Sequence, residues 1–178
     1  MTKRSSSSSS LLEVAELHER NFPLDFSETE LIKGEKPIKV VLDTNIYISA
    51  IMFGGNPNKV LKLARVHQIK VYISAQILLE ISEKLHKKFK LSEEDVAKIL
   101  KGISKITELV QAKIKLDVVK EDSSDNKFLE CAVVADANYI VTGDKHLLKL
   151  KRFEGINKFV SHEIKIVTPA DFLKLIGK

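Results

Sequence analysis

Four carboxylates fall where solubility alone does not account for them. Asp43 closes the apolar run Val40-Val41-Leu42 and is followed by Thr44-Asn45. Glu80 ends Ser74-Ala75-Gln76-Ile77-Leu78-Leu79-Glu80, among apolar neighbours. Asp125 opens an apolar helical pattern after Glu121-Asp122-Ser123-Ser124, and Asp144 ends Val141-Thr142-Gly143-Asp144. An ionised carboxylate beside a buried strand end is costly unless it is paired or holds a cation. Several in one crevice repel one another, which raises some of their pKa values or recruits a cation. The donors are all oxygens, and His18, His67, His86, His146 and His162 show no metal-binding pairing. That combination matches Mg2+ or Mn2+. Such an ion activates water and stabilises charge on a phosphoryl oxygen, chemistry that suits hydrolysis of a phosphodiester.

Convergence of these acids depends on the elements that carry them. Short apolar runs predict strands at about 38–42, 69–73, 114–119, 139–141 and 164–167. Helical patterns separate them, at about 44–52, 57–66, 74–89, 92–109, 124–137, 145–150 and 169–176. Gly54-Gly55 closes the first helix, Asn56 with Pro57 marks the start of the second, and a break is expected near Gly102. Alternation of this kind specifies βαβ units. The expected fold is therefore α/β, a three-layer α/β/α sandwich on a mainly parallel five-stranded sheet. Right-handed crossovers bring the strand C-termini to one edge, where ligands bind in open α/β sheets. On that sheet Asp43, Asp125 and Asp144 each follow a strand, and Glu80 comes from the helix after the second.

Each acid also has a structural reading. Asp is a favoured N-cap, and Asp43, Asp122, Asp125 and Asp144 all stand before helices. Taken singly, each aspartate reads more readily as a cap; their convergence on one edge favours a shared site. Glu83, one turn from Glu80, sits beside Ser82 and Lys84 and reads as a surface residue. A haloacid-dehalogenase-type phosphatase calls for a second Asp two residues after the first, where this chain has Asn45. A receiver domain calls for an acidic pair on an earlier strand, and no clear strand precedes Ile38. No glycine-rich phosphate loop and no Ser-His-Asp or Cys-His grouping is present. A metal-dependent phosphatase for small substrates and a binding module that does not cleave stay open as alternatives.

The 178 residues fit one domain with an appendage, residues 38–178 and 1–37. Ser5 to Ser10 is low-complexity, Ser10-Leu11-Leu12-Glu13 reads as a capping box for a helix at about 11–20, and Ser27 with Glu30 repeats that spacing. The serine run excludes a secretory signal, and no apolar run approaches a bilayer span. A lone cysteine, Cys131, excludes an internal disulfide and suits a reducing, cytoplasmic setting. The formal charge of +5 is compatible with a polyanionic partner. Two basic clusters, one with Lys84, His86, Lys87, Lys88 and Lys90 and one with Lys145, His146, Lys149, Lys151 and Arg152, are candidates for backbone contacts to nucleic acid.

Four ordered segments resemble the PIN-domain nucleases. Val40-Val41-Leu42-Asp43-Thr44-Asn45 is similar to that family's opening strand and turn, and Ser74 to Glu80 to its second acidic motif. Ser124-Asp125-Asn126-Lys127-Phe128-Leu129-Glu130-Cys131-Ala132 resembles the third, and Tyr139 to Leu148 the fourth. The ending Ile166 to Leu173 also matches, so the resemblance covers about residues 38–176. It implies a Mg2+- or Mn2+-dependent ribonuclease with Asp43, Glu80, Asp125 and Asp144 as catalytic metal ligands, and Thr44, Asn45 and Thr142 in support. The nearest likeness is to small prokaryotic toxin components, which implies an RNA substrate, a cognate antitoxin and a homodimer; a housekeeping RNA-processing role is the other reading.

Overall fold

In a computed structural model, residues 37–153 and 162–178 are described. The extension expected at 1–37, apart from Pro37, lies outside them. Parallel pairing joins β1 (Ile38–Leu42) to β2 (Ile69–Ser74) on one side and to β4 (Tyr139–Val141) on the other. β3 (Thr107–Val110) continues the sheet beyond β2, and β6 (Ile164–Val167) beyond β4. The order is β3-β2-β1-β4-β6-β5. Five strands are parallel, as expected. The sixth, the two-residue β5 (Arg152–Phe153), pairs antiparallel with β6 and was not predicted.

Helices flank the sheet. They are α1 (Thr44–Met52), α2 (Gly55–Arg65), α3 (Ala75–Phe89), α4 (Glu93–Ile106), α5 (Asn126–Ala135), α6 (Lys145–Lys149) and α7 (Pro169–Leu175). α5 lies against β1, β2 and β3, while α2 packs beside α7 and α4. The central strands are apolar without alternation because both faces are covered: Val40, Val41, Leu42, Ile140 and Val141 are fully buried. Gly54 has φ 75° and ψ −132°, a backbone that only glycine adopts readily, so it caps α2 in place of the expected Asn56.

One predicted strand is wrong, and the reason is physical. Residues 114–118 do alternate between half-buried and exposed, as a strand would, and Val119 is buried, but the segment pairs with no strand among the described residues. Side chains of α5 take three of its backbone N–H groups instead. Glu130 Oε1 accepts from the Leu116 N–H at 2.9 Å, and Asn126 Oδ1 from those of Val118 and Val119, both at 2.9 Å. The third strand is Thr107–Val110, which directly follows α4, and that helix runs unbroken through Gly102.

Chain order reverses between β1 and β4, which lie side by side although most of the chain separates them. This is the topological switch point where a crevice opens beyond the strand ends. Asp43 follows β1, and Thr142 to Asp144 follow β4.

Candidate active site

Thr142 joins the two strand ends at that crevice. Its hydroxyl, fully buried, donates to Asp43 Oδ2 at 2.6 Å and accepts from the Asp144 N–H at 2.9 Å. Asp43 Oδ1 accepts from the Asn45 N–H at 2.9 Å, so the carboxylate caps α1 while its orientation is fixed from both sides. Burial raises the Asp43 pKa, and the hydrogen bonds from Thr142 and Asn45 work against that rise. Asp144 Oδ1 caps α6 by accepting from the His146 N–H at 2.7 Å. The capping reading of both residues is therefore correct, and it does not compete with a site role: the cap aims the carboxylate.

Asp125 differs. It is buried, it stands at the start of α5, and it makes no capping hydrogen bond. The turn before α5 is capped by Asp122, which accepts from the Ser124 N–H at 3.0 Å and from the Ser124 hydroxyl at 2.7 Å. Asp125 Oδ2 is buried without a hydrogen-bond partner. Burial first, then the charges of Asp122, Asp144 and Asp43, push its pKa up to about 6. A buried oxygen without a donor, facing the charge of neighbouring carboxylates, is what a cation site looks like before the cation arrives.

Glu80 reaches the same region from α3 but is already paired. Its Oε2 accepts from the Thr44 hydroxyl at 2.8 Å and from Lys127 Nζ at 2.9 Å, and its Oε1 from Lys84 Nζ at 2.8 Å. Burial pushes its pKa upward, but the hydrogen bonds from Lys84, Lys127 and Thr44 together outweigh burial and hold it below the usual range. Glu83 is exposed and pairs with Lys87 at 2.9 Å. Among the described residues no three His, Cys, Asp or Glu side chains are gathered closely enough to hold one ion. The donor chemistry still fits a hard divalent ion, because Asp125 Oδ2 is buried without a partner and the charges of Asp43 and Asp144 act on it.

The basic clusters divide. Lys84 stands in the site, and it also donates to Asn45 Oδ1 at 3.1 Å. Lys87 is taken up by Glu83, and Lys149 by Glu121, which His146 also contacts. Lys88 and Lys145 are exposed. Lys127 is the site residue that reading the sequence missed. A signal for it exists: it lies in the first turn of α5, where the helix dipole disfavours a cation unless a carboxylate is close.

Thr142→Val tests how far the site depends on that one hydroxyl. It leaves Asp43 Oδ2 and the Asp144 N–H without their partner. The expected cost is about 1–3 kcal/mol of stability by thermal denaturation. Any activity that needs the two aspartates aligned is expected to fall about 10- to 100-fold.

The class of molecule follows from fold and crevice together: a doubly wound α/β domain with aspartates gathered at its switch point. The chain belongs to the PIN domain family, whose sequence profile matches residues 39–146, a span that includes Asp43, Glu80, Asp125 and Asp144. PIN domains are generally nucleases, and the fold here is of that nuclease type. An uncharacterized protein of Methanocaldococcus jannaschii is 36% identical over 147 residues, covering 79% of this chain and 93% of its own length. Among the described residues no helix is long and apolar enough to cross a membrane.

Proposed function

We propose that this chain is an endoribonuclease dependent on a divalent cation, Mg2+ or Mn2+, held chiefly by Asp43, Asp125 and Asp144. The observation that carries this reading is the unpartnered, buried Asp125 Oδ2, with its neighbouring carboxylates. A bound divalent ion there supplies an acidified water and draws charge from a phosphoryl oxygen. The chain's own residues hold and aim. The Asn45 N–H and the Thr142 hydroxyl fix Asp43, the Asp144 carboxylate is fixed by the His146 N–H, and Asp125 is largely shielded from solvent. Fixed carboxylates cost little reorganisation at the moment of reaction.

RNA as substrate is supported by membership of the family and by Lys84 and Lys127 beside the aspartates. A toxin role, with a cognate antitoxin, a homodimer and action on cytoplasmic RNA, extends the same reading through the likeness to small prokaryotic toxins. The test is direct. The full chain is incubated with single-stranded RNA, structured RNA and DNA, in Mn2+, Mg2+ or EDTA. The expected result is internal cleavage of RNA in Mn2+ or Mg2+ and none in EDTA. Cleavage that persists in EDTA, or RNA bound and left intact under every condition, contradicts the reading, and the second result makes the chain a binding module.

A further inference from the structure

A cavity of about 370 Å3 opens beside the site, lined from α3, from α5 and from the segment that precedes α5. Gln76, one turn before Glu80 on α3, lines it, and so does Ser124, the neighbour of Asp125 in the chain. Lys115, Leu116 and Glu130 line it as well. Glu130 is the unusual member, a carboxylate with only 4% of its side chain exposed. Its Oε1 accepts from the Leu116 N–H at 2.9 Å. Among the described residues its Oε2 has only the Lys115 ammonium, at 3.6 Å, too long for a hydrogen bond. Lys115 is 73% exposed, so this ion pair offsets little of the cost of burying a carboxylate. A glutamine would serve the Leu116 N–H equally well through its carbonyl, with no charge to bury. Holding Leu116 thus accounts for one oxygen of Glu130. The other, buried and without a hydrogen-bond donor, belongs to the lining of a cavity.

We infer that this cavity receives an unstacked guanine of the RNA substrate beside the bond to be cleaved, with Glu130 accepting from its N1–H and N2–H groups. The inference rests on the nuclease reading above and gives it a base preference. The volume falls within the range of small-ligand pockets, about 300–1,000 Å3. Single-stranded RNA is recognised through splayed bases that are hydrogen-bonded on their pairing edges. Lys115 and Glu130 together offer one donor beside two acceptors. Guanine is the base whose pairing edge offers the reverse, a carbonyl oxygen beside two N–H donors. Adenine and cytosine set a ring-nitrogen acceptor against the carboxylate, and uracil has a single N–H between two carbonyl oxygens. Each carboxylate oxygen has more than one acceptor position, so Oε1 serves Leu116 and the base together.

The test measures binding of four oligouridine strands, each with one central G, A, C or U, to the full chain by fluorescence anisotropy in EDTA. The guanine strand is expected to bind about tenfold more tightly than the other three. Inosine in place of guanosine keeps the carbonyl and N1–H but lacks the 2-amino group. Its advantage over uridine is expected to fall to about threefold, a result that needs no variant. Glu130→Gln keeps an acceptor for the Leu116 N–H and puts an amide in place of the second oxygen, so it is expected to fold and to bind all four strands within about twofold of one another. Cleavage by the wild type in Mn2+ is expected to map beside guanosines. Equal binding of the four strands by the wild type, inosine as good as guanosine, or a folded Glu130→Gln that keeps the full preference overturns the inference. A wild type that cleaves RNA in Mn2+ with no regard to guanosine also overturns it and leaves the nuclease reading standing. A wild type that prefers the guanine strand but cleaves nothing overturns the nuclease reading and leaves the base pocket; one that neither binds nor cleaves RNA overturns both.

Discussion

Asp125→Asn is expected to lower RNA cleavage by about two to three orders of magnitude while making the metal-free protein more stable. The two effects have one cause. Asp125 is buried with an oxygen that no donor satisfies, and burial with the charges of Asp122, Asp144 and Asp43 pushes its pKa from 3.8 to about 6. Its ionised form is unfavourable in the folded chain until a cation neutralises it. The sign follows from proton binding. Between about pH 4 and pH 6 the folded state holds more protons at Asp125 than the unfolded state does, so its contribution to stability falls as pH rises through that window. Above about pH 6 the full penalty applies. Allowing for water's partial access, removing the charge is expected to recover about 1–3 kcal/mol at neutral pH, or roughly 2–10 °C in melting temperature. The difference between variant and wild type should vanish below about pH 4, and saturating Mn2+ should reverse it by stabilising the wild type alone. Thermal denaturation in EDTA across pH, paired with cleavage assays in Mn2+, checks each part. A variant that is less stable than wild type at neutral pH in EDTA runs against this account.

Asp43 should behave differently because it does two jobs. Its Oδ1 caps α1 and its Oδ2 takes the Thr142 hydroxyl. Asp43→Asn removes the charge but leaves a side chain that is itself a strong cap, so cleavage should fall by about three orders of magnitude with little change in melting temperature. Asp43→Ala should abolish cleavage equally and, in addition, lose about 1–3 kcal/mol, from the missing cap and the hydroxyl of Thr142 left without its acceptor. Comparing the two variants by calorimetric melting and by cleavage rate separates the charge from the cap. Equal stability of the two would mean that the cap contributes nothing.

Most of the fold is written in the hydrophobic pattern, because burial on both faces demands it. Val40-Val41-Leu42 and Tyr139-Ile140-Val141 read as strands, and they lie side by side in the middle of the sheet. The segment 114–119 misled because residues 114–118 do alternate between half-buried and exposed, but the acceptors of the Leu116, Val118 and Val119 N–H groups are Glu130 and Asn126 on α5. Alternation in sequence shows which residues face the core; it does not show what accepts the backbone's hydrogen bonds. The same limit applies at the site. Asp43 and Asp144 are legible as acids at strand ends, and Glu80 as an acid among apolar neighbours. That Asp125 makes no capping hydrogen bond is not legible, since it depends on its backbone being helical (φ −76°, ψ −16°) where a capping residue is extended. Lys127 is hidden for a similar reason: a lysine in a first helical turn looks like surface until the fold brings Glu80 within 2.9 Å of it. Clustering of lysines in sequence does not show how each is paired: Lys87 lies against Glu83 and Lys149 against Glu121, both at the surface.

The central claim is that the aspartates at the switch point hold a divalent cation. Isothermal titration of Mn2+ into the wild-type chain and into Asp125→Asn tests it without reference to any substrate. The account predicts saturable binding to the wild type and an affinity at least about tenfold weaker in the variant. Equal Mn2+ affinity in the two proteins, or no saturable binding to the wild type, would contradict it.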